Sequence, residues 1–573
     1  MQNKKLLLVV AVILVIIVSA IVLSIGFLYL ISQPEPVKAG TVVEVTLSGT
    51  VREFPAQDPW AEMLSSGGLS LWELHSVFRT AAKDQNVEGI LLEIFPTGAS
   101  WAQIEELRDI ILEFKTSGKP VWAFLSVDMV TEGQLYLAST ADYVATNPTT
   151  GFLVNGLMAE VLFKKRALEK LSIKPDFIQL KEFKSAEEYT RQELSPEVRG
   201  MLESILIELQ DRFVETVAQE RQIESADVQE LVNLGLAGSQ LAVEMNIIDE
   251  TAYRHQIRDR ISNEVREGDA YQGISAQDYL ESSSFSSRSR TKARVAVVAA
   301  TGTIISGRSE AFAGLMGGTT LSAELRKLRE NASIDGVILR VDSPGGSPVG
   351  SDMIWREVTL LEEEGKPVIV SMSGVAGSGG YYIAMGAGRI ISQPSTITGS
   401  IGVIFGKFDV SGLYEWLGMD LDRIKVAPNA DLLSLQSSLT QEQRTQVESW
   451  MNEVYREFVQ KAADGRSMEF EELEPKAHGR IYTGAQALDA GLVDQLGGMI
   501  VAIAEMKNAL NLDQKDQIRL ELFPKPKTLL ELLASGKLLE IEQPPLVKDL
   551  MAKELRILET PGVWLLAPDI RIH

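Results

Sequence analysis

The chain repeats itself. VEGILLEIFPTG (Val87–Gly98) aligns with IDGVILRVDSPG (Ile334–Gly345), and GKPVWAF from Gly118 aligns with GKPVIVS from Gly365, both pairs 247 positions apart. Further on, YLASTADYVATNP matches YIAMGAGRIISQP, with Pro148 against Pro394 at a spacing of 246, and Gly238 keeps that spacing with Gly484. A register held over so long a span is the mark of a tandem duplication, and it restricts the fold to one that can be built twice. The copies are read as residues 40–262 and 293–510. Between them, 263–292 contains the serine-rich SSSFSSRSRTK (Ser282–Lys292) and reads as a linker. The extension 511–573 is rich in Leu, Lys, Glu and Pro and suggests no function.

Each copy opens on a β-rich run, TVVEVTLSG or RVAVVAATG, after which strand-like apolar segments alternate with helical ones. In the second copy the order is GVILRV, a helix over Asp352 to Glu364, PVIVSM, and a helix that starts in a glycine cluster. That βαβα order predicts a mainly parallel sheet. Long amphipathic helices follow in both copies, with Ser195 and Pro196 at the start of one and Thr440 at the start of the other as expected caps. Two copies of one α/β domain are the expected fold.

Ahead of the duplication, residues 1–5 carry Lys4 and Lys5, and Leu6–Ile31 is an uncharged apolar run of 26 residues. It is long enough to span a bilayer and longer than the apolar region of a cleaved signal peptide. With the lysines before the span, the N-terminus is expected in the cytoplasm and the body outside it.

Composition narrows the chemistry. There is no cysteine, which excludes thiolate catalysis, disulfides and thiolate metal sites, and the four histidines (His75, His255, His478, His573) form no close pair that could seat zinc. The formal charge of −23 disfavours nucleic acid. No metal or cofactor is expected. Six glycines fall within SMSGVAGSGGYYIAMGAG (Ser371–Gly388), but Tyr382 stands where a dinucleotide fingerprint needs its third glycine, and no Walker lysine follows. Two readings remain: tight turns that require left-handed backbone, or a strand-to-helix turn that presents Ser378. In the second reading the amides of Gly379 and Gly380, and the bare backbone of SPGGS (Ser343–Ser347), face a substrate carbonyl. A serine needs a base, and with histidines so sparse the candidates are lysines, which act as bases only when burial lowers their pKa. Lys184 in KEFKSAEEY precedes a capping-box pattern starting at Ser185; alone it reads as a solvated surface residue. The repeat is informative here. Ser378 aligns with Glu132 of the first copy and Lys184 aligns with Ala430 of the second, so a single site would draw half from each copy.

Together, the anchor, the duplication and the motifs SPGGS, GSGGYYIA, TGSIGV and EFKSA resemble the signal peptide peptidase A (protease IV) family in its long, duplicated bacterial form. The resemblance implies two ClpP/crotonase-like domains and a serine endopeptidase with a Ser-Lys dyad. It implies Ser378 as nucleophile, Lys184 as general base and Ser400 as the residue that orients the lysine. Oxyanion donors would be Gly379 and one of Gly345 and Gly346. It further implies a homotetramer at the inner membrane, its catalytic body on the periplasmic side, acting on remnant signal peptides and other unfolded peptides. Phe183 before the lysine and Gly377 before the serine depart from the usual motif without removing a catalytic atom. The alternatives are a non-catalytic membrane-anchored scaffold, or a crotonase-type acyl-CoA enzyme.

Overall fold

A computed structural model describes residues 36–55, 68–184, 186–266, 268, 270–283, 291–310, 313–525, 562–566 and 571–572. The expected anchor, Leu6–Ile31, lies outside them, and no helix among the described residues is long and apolar enough to cross a membrane.

The duplication is repeated in the sheets. In the first copy the strand order is Glu250–Thr251, Tyr143–Thr146, Val121–Leu125, Val87–Thr97, Thr41–Gly49, Gly273–Ser275, and every pairing is parallel. The second copy orders the equivalent strands identically: Gln495–Leu496, Arg389–Ser392, Val368–Gly377, Gly336–Ser343, Ala293–Thr301, Ile518–Phe523, again in parallel. Val121–Leu125 is apolar and buried along its length because helices cover both faces of a parallel sheet, and Gly336–Ser343 is buried in the same way, although it carries Arg340. The long helices are Pro196–Arg221, capped by Ser195 with proline in its first turn, and Gln441–Arg466, capped by Thr440 in a capping box; both stop at a left-handed residue, Gln222 and Ser467.

Three local features differ from the sequence reading. The helix expected from Asp352 begins at Pro348, because Ser347 caps it and proline is tolerated in a first turn. The segment 263–292 is not all connector: Gly273–Ser275 forms the sheet edge and Tyr279 is fully buried. The second sheet also runs past residue 510, since Ile518–Phe523 pairs along Ala293–Val298. Gly273–Ser275, at three residues, is too short to show alternation, whereas Ile518–Phe523 (IRLELF) does alternate apolar and charged residues and carries a strand signal in the sequence.

The copies are joined through buried polar groups. Arg340, in the middle of the second sheet, donates from Nε to Glu53 at 2.7 Å and also to Glu106, both from the first copy. Glu106 also accepts from the Met499 amide at 3.0 Å. Ser395 donates its amide and hydroxyl to Glu105 at 2.9 and 2.6 Å. Burial pushes Glu105 up to about 7. Such a buried network contributes little net stability compared with apolar packing, but it is intolerant of rearrangement, so it sets the relative placement of the halves.

Candidate active site

Val368–Gly377 ends at the carboxyl edge of the second sheet, where α/β sheets bind ligands. Ser378 follows, and the helix Gly379–Ala384 starts at once. Ser378 holds φ 54° and ψ −111°, a strained conformation for a non-glycine residue. It is pinned there by its amide, which donates to Gly399 O at 2.7 Å, and by its carbonyl, which accepts from Tyr382 N at 2.8 Å. The two following glycines serve close approach. A Cβ on Gly380 would lie 2.4 Å from Ser343 O, and one on Gly379 would lie 2.7 Å from Ser351 Oγ and 3.0 Å from Gly346 N. Left-handed backbone is instead required in the neighbouring turn, where Gly345 has φ 101° and Gly346 φ 150°.

Lys184 enters from the other copy. Its Nζ lies 2.7 Å from Ser378 Oγ, 2.9 Å from Ser400 Oγ and 3.2 Å from Ser400 O, although 194 residues separate it from the serine. The side chain is buried, and burial lowers its pKa well below the ordinary lysine value. Ser400 is fully buried with φ 54°, its amide donating to Arg480 O at 2.7 Å. A hydroxyl beside an amine that burial keeps neutral can lose its proton to that amine. The capping pattern expected after Lys184 begins at Ser185, which lies outside the described residues; the helix that follows, Glu187–Thr190, has Ala186 at its N-cap.

Sequence reading missed three elements of the site. Ser343, fully buried, accepts from Gly345 N at 3.2 Å and donates to Gly302 O at 2.7 Å, which locks the glycine turn. Gly402 and Gly479 crowd Lys184: a Cβ on them would lie 3.2 and 2.3 Å from Lys184 Cβ. Third, Gly562–Leu566, from the extension that suggested no function, lies antiparallel between Gly345–Gly346 and Ile404–Asp409, with Gly346 opposite Leu565 and Ile404 opposite Trp564. The first two could be noticed as glycines and serines of a turn; the third has no sequence signal.

The first copy has a different arrangement at the equivalent place. Glu132, which aligns with Ser378, opens the helix Glu132–Ala138, and its carboxylate accepts from the amides of Asn155 and Gly156 at 2.7 and 2.8 Å.

The signature of Peptidase family S49 matches the chain twice, over residues 113–266 and 361–513, more than half its length. The chain is 30% identical over 527 residues to a protein named serine protease SPPA, chloroplastic, from Arabidopsis thaliana, covering 89% of this chain and 76% of that one. It is 31% identical to Protease 4 of Salmonella typhi, covering 81% and 75%, and 30% identical to Protease 4 of Haemophilus influenzae, covering 79% and 75%.

Proposed function

The chain belongs to peptidase family S49 as a serine peptidase that carries the family's domain twice, and on that footing we propose that it is a membrane-anchored endopeptidase working through a Ser378–Lys184 dyad. The observation that carries the proposal is the 2.7 Å approach of a buried lysine amine to a hydroxyl held on a strained strand-to-helix turn. Neutral Lys184 takes the Ser378 proton as Oγ bonds to the substrate carbonyl carbon, and Ser400 Oγ holds the resulting ammonium. The oxyanion is received by the amides of Gly379 and Gly346. Gly345 is the poorer second donor because its N–H already goes to Ser343 Oγ. Collapse breaks the C–N bond, and the departing amine takes the proton from Lys184. Water then loses a proton to Lys184 as it attacks the acyl-enzyme, and the proton returns to Ser378 as the acid leaves.

Substrate lies as an extended strand between Gly345–Gly346 and Ile404–Asp409. The seating of Gly562–Leu566 in that cleft supports this, since main-chain bonding there does not depend on side chains. The substrates are remnant signal peptides and other unfolded apolar peptides. The apolar run Leu6–Ile31, read as a signal anchor, would hold the chain where such peptides are left, on the periplasmic face of an inner membrane, as a homotetramer. Purified Ser378→Ala and Lys184→Ala variants should each lose cleavage of an apolar peptide while keeping the parent's circular dichroism. Full activity in either one refutes the dyad.

A further inference from the structure

Lys184 is delivered to Ser378 by an irregular stretch of the first copy, and the second copy must hold that stretch in place. The holding element is the turn His478–Arg480. Phe183 N donates to His478 O at 3.2 Å, Gly479 N to Ile401 O at 2.8 Å, and Ser400 N to Arg480 O at 2.7 Å. One turn therefore grips the residue before Lys184 together with Ser400 and Ile401. Its backbone is unusual, with His478 at φ 53° followed by Gly479 at φ 80°.

The His478 ring lies between carboxylates of the two copies. Nδ1 is 3.0 Å from Glu182 Oε2, two residues before Lys184, and Nε2 is 3.0 Å from Glu474 Oε1. Lys181 Nζ lies 3.3 Å from Nε2 and donates to Glu474 at 2.5 Å, and the Tyr455 hydroxyl donates to Glu474 at 3.3 Å. The Arg480 guanidinium lies over the Phe183 ring, 5.7 Å from its centroid. Lys181 and Glu182 from the first copy, with Glu474, Tyr455 and Arg480 from the second, are thus the charged and titratable groups around the ring. An imidazolium would donate to both carboxylates. A neutral ring protonated at Nδ1 donates to Glu182 and accepts from Lys181. In both of these forms Nδ1 donates to Glu182.

We propose that His478 and Glu182 form a clamp between the two copies that sets the distance from Lys184 Nζ to Ser378 Oγ and keeps water from the amine. They are positioning residues, and the proposal rests on Lys184 being the base. Loosening the clamp admits water to Lys184, and its pKa then moves back toward the ordinary lysine value.

The test measures kcat and KM of the full chain on an apolar peptide across pH, with thermal unfolding, for Glu182→Ala and His478→Asn. The Glu182 side chain is half exposed, so its removal should leave the melting temperature within error. Asparagine keeps a donor near Nδ1 and tolerates left-handed backbone. Glu182→Ala is expected to move the acid limb of kcat up by about one pH unit. It should then lose about tenfold in kcat at neutral pH with KM little changed, and the deficit should close at alkaline pH. His478→Asn should stay within about twofold of the parent, as the donor is retained. A Glu182→Ala acid limb that stays at the parent's pH, whether or not kcat falls, overturns the clamp. Lys184→Ala separates the failures. If it is inactive while the Glu182→Ala limb is unmoved, only the clamp fails; if it is active, the base assignment fails and the clamp with it.

Discussion

Gly479 allows a distance to be converted into a rate. An alanine Cβ there would stand 2.3 Å from Lys184 Cβ, 2.5 Å from its N and 2.7 Å from its Cα, contacts with backbone and the root of a side chain that cannot swing away. Relief to an ordinary contact needs the Lys184 backbone to retreat by roughly 1 Å. Carried to the tip, that retreat takes the 2.7 Å separation of Nζ from Ser378 Oγ outside hydrogen-bonding distance. A misplacement of about 1 Å at a reacting centre costs on the order of 100-fold. Because φ is 80°, the substitution also strains the backbone, and an independent control is needed. Gly365 supplies it, with φ 79° and nothing within 4 Å of an added Cβ. Both Gly479→Ala and Gly365→Ala should lose about 1 kcal/mol or more in urea unfolding from the left-handed backbone. Only Gly479→Ala should lose about 100-fold in kcat on a saturating peptide. Equal kcat in the two variants would refute the claim that Gly479 sets the lysine.

Burial holds the folded-state pKa of Lys184 well below its unfolded value. Activity should therefore rise with pH through a midpoint below the usual lysine range, as neutral amine accumulates. Between the folded and unfolded values the unfolded chain binds the extra proton, so stability should also rise with pH there, with the full penalty present at lower pH. Lys184→Met should abolish the activity and remove that part of the slope, as read by urea unfolding at several pH values. Ser343→Ala frees the glycine turn and should lower kcat by about 10–100-fold with KM nearly unchanged; an equivalent rise in KM instead would assign Ser343 to substrate binding. Removing residues from Gly562 onward should raise kcat/KM for added peptide several-fold, because Gly562–Leu566 then no longer shares the cleft; unchanged kinetics would show that substrate binds elsewhere.

What could be read without coordinates was local or periodic. The duplication is visible because two descendants of one domain keep the same spacing of buried strands and glycine turns. Ser378 is legible because strand, turn and helix occupy one short stretch. The comparison with Glu132 is equally local, and its carboxylate does make bonds that a presented serine would not. The helix at Pro348 was misjudged for a local reason too, since a serine, a proline and glycines serve a turn and a capped helix equally well.

From the sequence alone came two α/β domains, a serine at a sheet edge and the inference that any site would need half from each copy. Only the tertiary structure decided how the halves meet. Lys184 has an unremarkable sequence environment, and what makes it unusual is the burial created when Arg340 docks onto Glu53 and Glu106 and the turn at Gly479 closes over the lysine backbone. Desolvation depends on all the atoms surrounding a group, most of them distant along the chain. No local pattern encodes it, and the fold alone brings Lys184 to Ser378.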